Sequence, residues 1–458
     1  MARLVMVVEG IVLVVAVYVT AALFHGEPFW SGAGTLAMAS RAAAFALLGL
    51  LSFYYHDFYD LRRVRAFRGF NRRLPAALGL WLLLLAGSHT AWALLGWSHP
   101  ADVSSALCLA VGTGLIWPLR GAFYAFLKTP RLAKRVMILG TGELARKIAA
   151  EIHDSPQLHY HLVGHIDDDS HHRNEPLGPM PDPVLGSLEN LAEIVKQYDP
   201  DLMIVALLER RMRLPMIDLF NARVSGTLIE DGVELYERCT GKLAIEHIVP
   251  SSFLFSRDFV KPPWLLLARR LLSCGVATAG LVLTAPLMAV IALAIKLDSK
   301  GSIFFVQDRA GLHGKPFRLV KFRTMHPPVT NADPSQRHWT SDLVRITRVG
   351  KWLRRLYLDE LPQFLNILIG HMDLVGPRPE MFDNVKAMAE QIPYYALRTT
   401  VRPGLTGWAQ IKQGYSVSRD EVTEKMRYDL YYIKHMSLRF DFRIGVDTVK
   451  NVLLRRGT

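Results

Sequence analysis

The chain reads as a membrane protein in three parts: a four-helix transmembrane bundle, a Rossmann-like α/β domain, and a mixed α+β C-terminal domain joined to one further membrane helix. Three observations predict this. Four long apolar blocks fall within the first 130 residues. A short β-branched run then leads into Gly140-Thr141-Gly142 and a helical pattern. From about Lys261 the chain turns basic and rich in short Gly, Pro and Arg motifs. A length of 458 residues fits about three units. The expected boundaries are 1–130 for the bundle, 131–255 for the α/β domain, 262–300 for the further membrane helix and 301–458 for the C-terminal domain.

The four spans are read as Leu4–Phe24, Thr35–Tyr54, Leu74–Leu95 and Ser104–Leu127. Each can cross roughly 30 Å of hydrocarbon. The first is too long and uninterrupted for a signal peptide, and further spans follow it. Arg62, Arg63, Arg65, Arg68, Arg72 and Arg73 follow the second span, and Lys128, Arg131, Lys134 and Arg135 follow the fourth. The short loops around Glu27 and His99–Asp102 lack Lys and Arg, so both ends of the bundle are expected in the cytoplasm. A formal net charge of +13 beside apolar blocks points to a lipid bilayer with anionic headgroups, or to phosphorylated substrates, and not to nucleic acid. Cys108, Cys239 and Cys274 lie far apart and form neither a metal motif nor a disulfide framework.

In the middle region, KRVMILGTGELARKIAAEI (Lys134 to Ile152) reads as strand, glycine turn and helix. Such a turn aims backbone N–H groups at a phosphate. Further elements alternate: strands around His161–Ile166 and Leu202–Leu207, helices around Leu188–Tyr198 and Met212–Ala222. Gly140, Gly142 and Ala145 fit a GxGxxA nucleotide loop, and Asp167, Asp168 and Asp169 come somewhat later than the usual ribose-binding acid. The pattern admits a nucleotide loop or a structural, regulatory Rossmann-like domain.

A fifth apolar block, Leu271–Lys296, has Arg269 and Arg270 before it and Lys296 and Lys300 at its end. Basic residues on both flanks suggest that both ends face the cytoplasm. Pro286 removes a backbone donor near its middle. A re-entrant helix that breaks at Ala285-Pro286 satisfies both observations; a plain fifth span with a kink is the alternative.

In the C-terminal domain, FVQDRAGLHGKPFRLVKFRTM (Phe305 to Met325) reads as a β-hairpin turning between Gly311 and Gly314. The period of two places Lys321 and Arg323 on one face. A loop is expected over His326–Thr340, then a helix from near Val349 that carries Asp359 and Glu360, with Arg355 and Asp359 sharing a face. Adjacent carboxylates suit phosphoryl chemistry. One can attack phosphorus and form an acyl phosphate, and the other can hold Mg²⁺. Chemistry alone allows either assignment. Lys321, Arg323, Arg354 and Arg378 are the candidate cations for the anionic groups. Read by itself, Asp-Glu also fits a solvated helix face with ion pairs one turn apart.

KFRTM, LDELPQFLNILIGHMDLVGPRPE and VRPGLTGWAQI together resemble the bacterial sugar transferase family, the polyprenyl-phosphate phosphoglycosyl transferases, over roughly 262–458. The layout is similar to the large members of that family. The resemblance implies transfer of a sugar 1-phosphate from a UDP-sugar to undecaprenyl phosphate with release of UMP, the first membrane step of exopolysaccharide or lipopolysaccharide assembly. It implies Asp359 as nucleophile and Glu360 as the Mg²⁺-binding acid, with Lys321, Arg354 and Arg378 as active-site cations. It also implies Arg269-Arg270 as membrane-entry charges, Ala285-Pro286 as the helix break, and a catalytic domain on the cytoplasmic face of the bacterial inner membrane. Arg402-Pro403-Gly404 resembles a turn that orders the site, and Gln410 and Trp408 are candidates for a nucleotide pocket, with Trp408 equally readable as a membrane-interface anchor or core residue. Tyr357 and Ser273 depart from the family's usual small hydroxyl and acidic residues. The helix around Asp420–Lys434 is read either as lying flat on the membrane or as packing on the core. A homodimer is left open. A second reading is a non-catalytic, nucleotide-sensing membrane regulator of polysaccharide assembly, which needs the glycine loop but not an intact Asp359-Glu360.

Overall fold

The computed structural model describes residues 1–25, 33–61, 63–64, 66–94, 104–127, 129, 133–155, 158–167, 182–207, 214–247, 257–326, 345–413 and 419–454. Asp168, Asp169, the start of the helix expected at Met212, the loop expected over His326–Thr340 from position 327 on, and Arg62, Arg65, Lys128 and Arg131 lie outside these residues. Contacts divide the chain into two units, Met1–Tyr236 and Glu237–Thr458.

The first unit begins with four helices: α1 (Ala2–His25), α2 (Ala33–Tyr55), α3 (Phe67–Leu94) and α4 (Ser104–Leu127). Leu13, Phe45, Phe53, Trp81, Ile116 and Tyr124 form their common core. Among the described residues α1, α2 and α4 are long and apolar enough to cross a membrane; α3 does not meet that measure, although its Trp81 and Leu85 lie in the same core. An ion pair that the apolar pattern does not predict lies inside the bundle. Glu9 accepts from Arg120 Nε at 2.5 Å and from the Tyr59 hydroxyl at 2.6 Å, while Arg120 Nη1 donates to Phe58 O at 3.0 Å. Breaking such a fully buried pair costs about 3–5 kcal/mol, because the remaining charge is left without a partner. Arg63 and Arg73, two of the arginines that signal orientation, pair with Asp57.

The α/β part follows as β1 (Lys134–Leu139), α5 (Glu143–Asp154), β2 (Tyr160–Ile166), β3 (Val184–Gly186), α6 (Leu191–Tyr198), β4 (Leu202–Val205), α7 (Met216–Val224), β5 (Leu228–Asp231) and α8 (Gly232–Thr240). The five strands are parallel in the order β3-β2-β1-β4-β5, a doubly wound sheet whose order reverses beside β1. The glycine loop sits at the carboxyl end of β1. Gly140 has φ +113°, and a Cβ there would lie 3.1 Å from Ala206 O, so this turn requires glycine. Ala145 is fully buried on α5, the close helix–sheet packing expected of the third loop position.

The second unit starts earlier than the expected boundary near 255. Leu243 and Ile245 already pack with Trp408, Leu430 and Tyr432. α9 (Pro263–Asp298) is the fourth described helix long and apolar enough to span a membrane. It runs through Ala285-Pro286 without interruption, so the helical backbone is not broken where the break was expected. Its buried positions Leu265, Arg269, Ser273 and Ala277 recur every four residues and pack on this unit. So do Ile291 and Ile295, whereas Val282 and Leu283 between them are 68 % and 80 % exposed. β6 (Phe304–Ala310) and β7 (Pro316–Phe322) form the expected hairpin. α10 (Arg348–Arg355), α11 (Gln363–Ile369), β8 (Asp373–Val375), α12 (Phe382–Gln391), β9 (Gly404–Thr406), α13 (Trp408–Lys412), α14 (Arg419–Lys434) and α15 (Leu438–Leu453) complete a mixed α+β unit. α14 is a core helix: Met426, Leu430 and Ile433 are buried, and Asp429 points inward with them. That settles the two readings of this segment in favour of packing.

Arg269 and Arg270 staple α9 to the rest of this unit. Arg269 donates to Asp441 at 2.6 Å and to Val375 O at 2.8 Å; Arg270 donates to Met372 O and Leu368 O. Ser273, one of the two departures, accepts from Leu374 N–H at 3.1 Å.

Candidate active site

The expected single helix through Asp359 and Glu360 is three pieces. Thr347 caps α10 by accepting from Gly350 N–H at 2.9 Å. α10 then presses so closely on the end of β7 that a Cβ on Gly350 would fall 2.1 Å from Thr324 O. It stops at Arg355 because Tyr357 takes a left-handed conformation, φ 57°. Asp359 and Glu360 lie in the next 3₁₀ turn, Leu358–Glu360, and Pro362 opens α11. Arg355 therefore does not share a helical face with Asp359; its guanidinium lies over the Trp352 ring, 5.7 Å from the centroid. Asn366 on α11 fixes the turn against the hairpin, donating to Arg318 O at 2.6 Å and accepting from Val320 N–H at 3.0 Å.

That packing brings Lys321 of β7 to Glu360. Lys321 Nζ donates to Glu360 Oε1 at 2.8 Å, and Arg378 Nη2 donates to the same oxygen at 2.9 Å. Arg354 adds a third positive charge beside Asp359, its Nε held on Thr324 Oγ1 at 2.9 Å. Two carboxylates thus face three cations, a surplus that suits an anionic ligand.

The two acids are pushed apart. Burial and the neighbouring Glu360 raise Asp359 above the ordinary carboxylate range, against the opposing pull of Lys321 and Arg354. Burial alone would also raise Glu360, but Arg378 and Lys321 outweigh it and hold that acid at about 2. Lys321 is lowered by burial, with Glu360 opposing. Paired titratable groups driven in opposite directions mark separate roles in acid–base and nucleophilic chemistry.

Other expected site residues stand elsewhere. Arg323 falls just past the end of β7, and its guanidinium closes the end of α9 by donating to Ser299 O at 2.8 Å and Lys300 O at 2.9 Å. Arg402 donates to Gly370 O at 3.1 Å and holds the turn after α11. Trp408 is a core residue whose Nε1 donates to Gly241 O. Gln410 lies in α13 with its Oε1 buried and, among the described residues, without a hydrogen-bond partner. In the first unit, the Thr141 N–H of the glycine loop is taken by Asp167 Oδ2 at 2.8 Å, and the Thr141 hydroxyl donates to the same oxygen.

A family model described as bacterial sugar transferase matches residues 264–455, which include every element of this site. An undecaprenyl-phosphate glucose phosphotransferase of Komagataeibacter xylinus is 32% identical over 336 residues, 72% of this chain and 60% of that protein. A UDP-glucose:undecaprenyl-phosphate glucose-1-phosphate transferase of Caulobacter vibrioides is 42% identical over 189 residues, 41% of this chain and 70% of that protein. The chain belongs to the bacterial sugar transferase family. A third relative, a UDP-N-acetylgalactosamine-undecaprenyl-phosphate N-acetylgalactosaminephosphotransferase of Aeromonas hydrophila, is 37% identical over 221 residues, 48% of this chain. The chain spans 60% of the Komagataeibacter relative's length and 51% of the Aeromonas one. Within the sugar transferase region, sequence reasoning missed a second charged cluster behind Arg378, formed by Glu380, Arg398, Lys425 and Asp429. Glu380 closes the quoted Pro-Arg-Pro-Glu run, but its partners Arg398 and Lys425 lie 18 and 45 residues further along the chain, where no local pattern points to them.

Proposed function

We propose that the chain transfers a sugar 1-phosphate from a UDP-sugar to undecaprenyl phosphate and releases UMP, the first membrane step of exopolysaccharide or lipopolysaccharide assembly. The observation that carries this reading is the Asp359-Glu360 pair, biased in opposite directions and met by Lys321, Arg354 and Arg378. Asp359, the acid with raised proton affinity, is the better nucleophile once ionised. Its carboxylate oxygen forms a bond to the β-phosphorus while the bond from that phosphorus to the bridging oxygen breaks, and UMP leaves with that oxygen. An oxygen of the lipid phosphate then attacks the same phosphorus and displaces Asp359, giving the lipid diphosphate sugar and the free carboxylate. Arg378 and Lys321 offset the negative charge that gathers on the phosphoryl oxygens.

Glu360 would hold Mg²⁺. Lys321 and Arg378 both use its Oε1, which leaves Oε2 as the donor atom. No group of three or more His, Cys, Asp or Glu suited to a metal occurs among the described residues, so the ion would take its other ligands from water and the diphosphate, as Mg²⁺ commonly does. When bound, it would neutralise charge on the leaving phosphate.

The contacts of α9 support re-entry. Its Leu265–Ala277 face and its Ile291–Ile295 face pack on one and the same unit, with the exposed Val282 and Leu283 between them. On this reading α9, although helical throughout, enters and leaves the bilayer from one side, and its basic flanks support a catalytic domain on the cytoplasmic face of the bacterial inner membrane. There the soluble donor and the lipid phosphate meet.

The test is purified membrane protein with a panel of UDP-sugars, undecaprenyl phosphate and Mg²⁺, followed by UMP release. Release that persists in Asp359→Asn rejects the covalent route. A cysteine placed at Lys300 that is labelled only from the periplasm rejects re-entry.

A further inference from the structure

The loop that presents Arg378 to Glu360 is fixed through its carbonyls. Pro377 and Pro379 have no N–H to offer and hold φ near −65°. Four successive carbonyls are each taken by a different donor. Pro377 O accepts from Gly404 N–H at 2.9 Å, Arg378 O from Arg398 Nη2 at 3.2 Å, Pro379 O from Arg309 Nη1 at 3.1 Å, and Glu380 O from Ala310 N–H at 2.9 Å. Two of these donors belong to the backbone, and Arg309 begins on the hairpin. Arg398 is the one whose charge is buried: 5 % exposed, beside Asp429 at 1 %.

Arg398 Nη2 also donates to Asp429 Oδ2 at 2.7 Å, and Nη1 donates to the Tyr395 hydroxyl at 2.7 Å and approaches Glu380 Oε1 at 3.5 Å. Lys425 Nζ meets that Glu380 oxygen at 2.5 Å. The cluster therefore holds two cations and two anions. A buried cluster of this kind adds little net stability over apolar packing, so its benefit lies in geometry. A planar guanidinium can engage the Asp429 carboxylate, the Tyr395 hydroxyl and a peptide carbonyl at once in fixed directions; an ammonium cannot.

We propose that Arg398 and Asp429 form a buried positioning pair that acts through Arg378: Asp429 orients the Arg398 guanidinium, and Arg398 holds the Arg378 carbonyl so that the Arg378 side chain reaches Glu360 and the transferring phosphate. Neither residue touches substrate. The inference rests on the proposed transferase reading for its activity readout and has a second readout that does not.

The experiment is a double-mutant cycle on UMP release, with the folded fraction of each variant set by its melting curve. Arg398→Lys lowers the rate about tenfold or more, since misplacing a clamp by about 1 Å costs up to a hundredfold. In an Arg378→Ala background the same change has no further effect beyond about twofold, because the side chain it positions is gone. Losses that multiply in the double variant, or wild-type rates in Arg398→Lys, overturn the proposal. If Arg398→Lys does not fold, Asp429→Asn takes its place in the same cycle. Peptide-level hydrogen exchange gives the second readout. In Asp429→Asn, the amides of Ala310 and Gly404, which donate to the Glu380 and Pro377 carbonyls, exchange faster than in wild type while those of α11 do not; unchanged exchange at Ala310 and Gly404 overturns the proposal. Absence of UMP release from the wild-type protein rejects the transferase reading instead, and the exchange result then decides the positioning claim alone.

Discussion

Two turns in this chain carry sequence signatures of phosphate chemistry, and they are filled in opposite ways. At Gly140–Gly142 one backbone donor, Thr141 N–H, is taken by the chain's own Asp167. At Leu358–Glu360 two carboxylates meet three cations, so positive charge is left over. A glycine turn closed by an internal carboxylate repels a phosphate, whereas a turn with surplus cations attracts one. A motif thus specifies which donors are present; the neighbours decide whether those donors are free. At the Rossmann-like turn, Gly140 permits the positive φ and the close approach to Ala206 that the backbone needs.

The largest expected effect breaks the second turn at its proposed nucleophile. Asp359→Asn keeps size and shape and lowers UMP release by at least about a thousandfold, the loss typical of removing a covalent nucleophile. Quenched wild-type enzyme should carry labelled sugar phosphate on the peptide containing Asp359, and the variant should not. Arg378→Ala comes next. It removes a donor to Glu360 and the proposed clamp on phosphate, so the rate should fall about a hundredfold, measured as initial UMP release at saturating donor.

Acidity sharpens the comparison further. Attack needs ionised Asp359, whose proton affinity is raised by burial and by Glu360, so the acidic limb of the rate profile lies above the ordinary aspartate value of 3.8. Lys321 lowers Asp359, and Lys321→Met therefore moves that limb to higher pH. Stability has the other sign. Glu360 and Glu380 are each depressed from 4.5 to about 2, so each contributes stability that is present above pH 4.5 and is lost as pH falls toward 2. The Glu360 share is on the order of 3 kcal/mol by linkage. Denaturation midpoints between pH 6 and 3 should fall for the wild type and fall less for Lys321→Met.

Much of this was legible in the sequence, for reasons that hold for some residues and fail for others. Apolar block length revealed α1, α2, α4 and α9, and the strand–glycine–helix pattern revealed the doubly wound sheet. Asp359, Glu360, Lys321 and Arg378 stand out because the motifs that contain them are long, and the structure brings them together. Arg323 was misplaced because the period of two holds only inside a strand, and β7 ends at Phe322. The helix break at Tyr357 has no composition signal, since a left-handed aromatic residue looks like any other. α14 mixes Met, Tyr and charge as a surface helix does, and the bond from Arg398, 31 residues upstream, holds Asp429 inward. Pairings of that kind are tertiary, and no local pattern encodes them.

The smallest expected effect tests the closed turn. Asp167→Ala removes the acceptor shared by Thr141 N–H and its hydroxyl. It should cost about 1–2 kcal/mol of stability, the loss of one charged hydrogen-bond partner at a partly buried site. UMP release should stay within about twofold of wild type once folded amounts are matched, because the glycine turn contributes no group to the proposed transfer. The same variant opens the turn electrostatically. If Asp167 is what keeps phosphate out, titration with UDP or a dinucleotide should give heat in Asp167→Ala and none in Asp167→Glu. Heat of equal size in the wild type would mean that the turn already accepts a nucleotide with Asp167 in place, and the contrast between the two turns would fail.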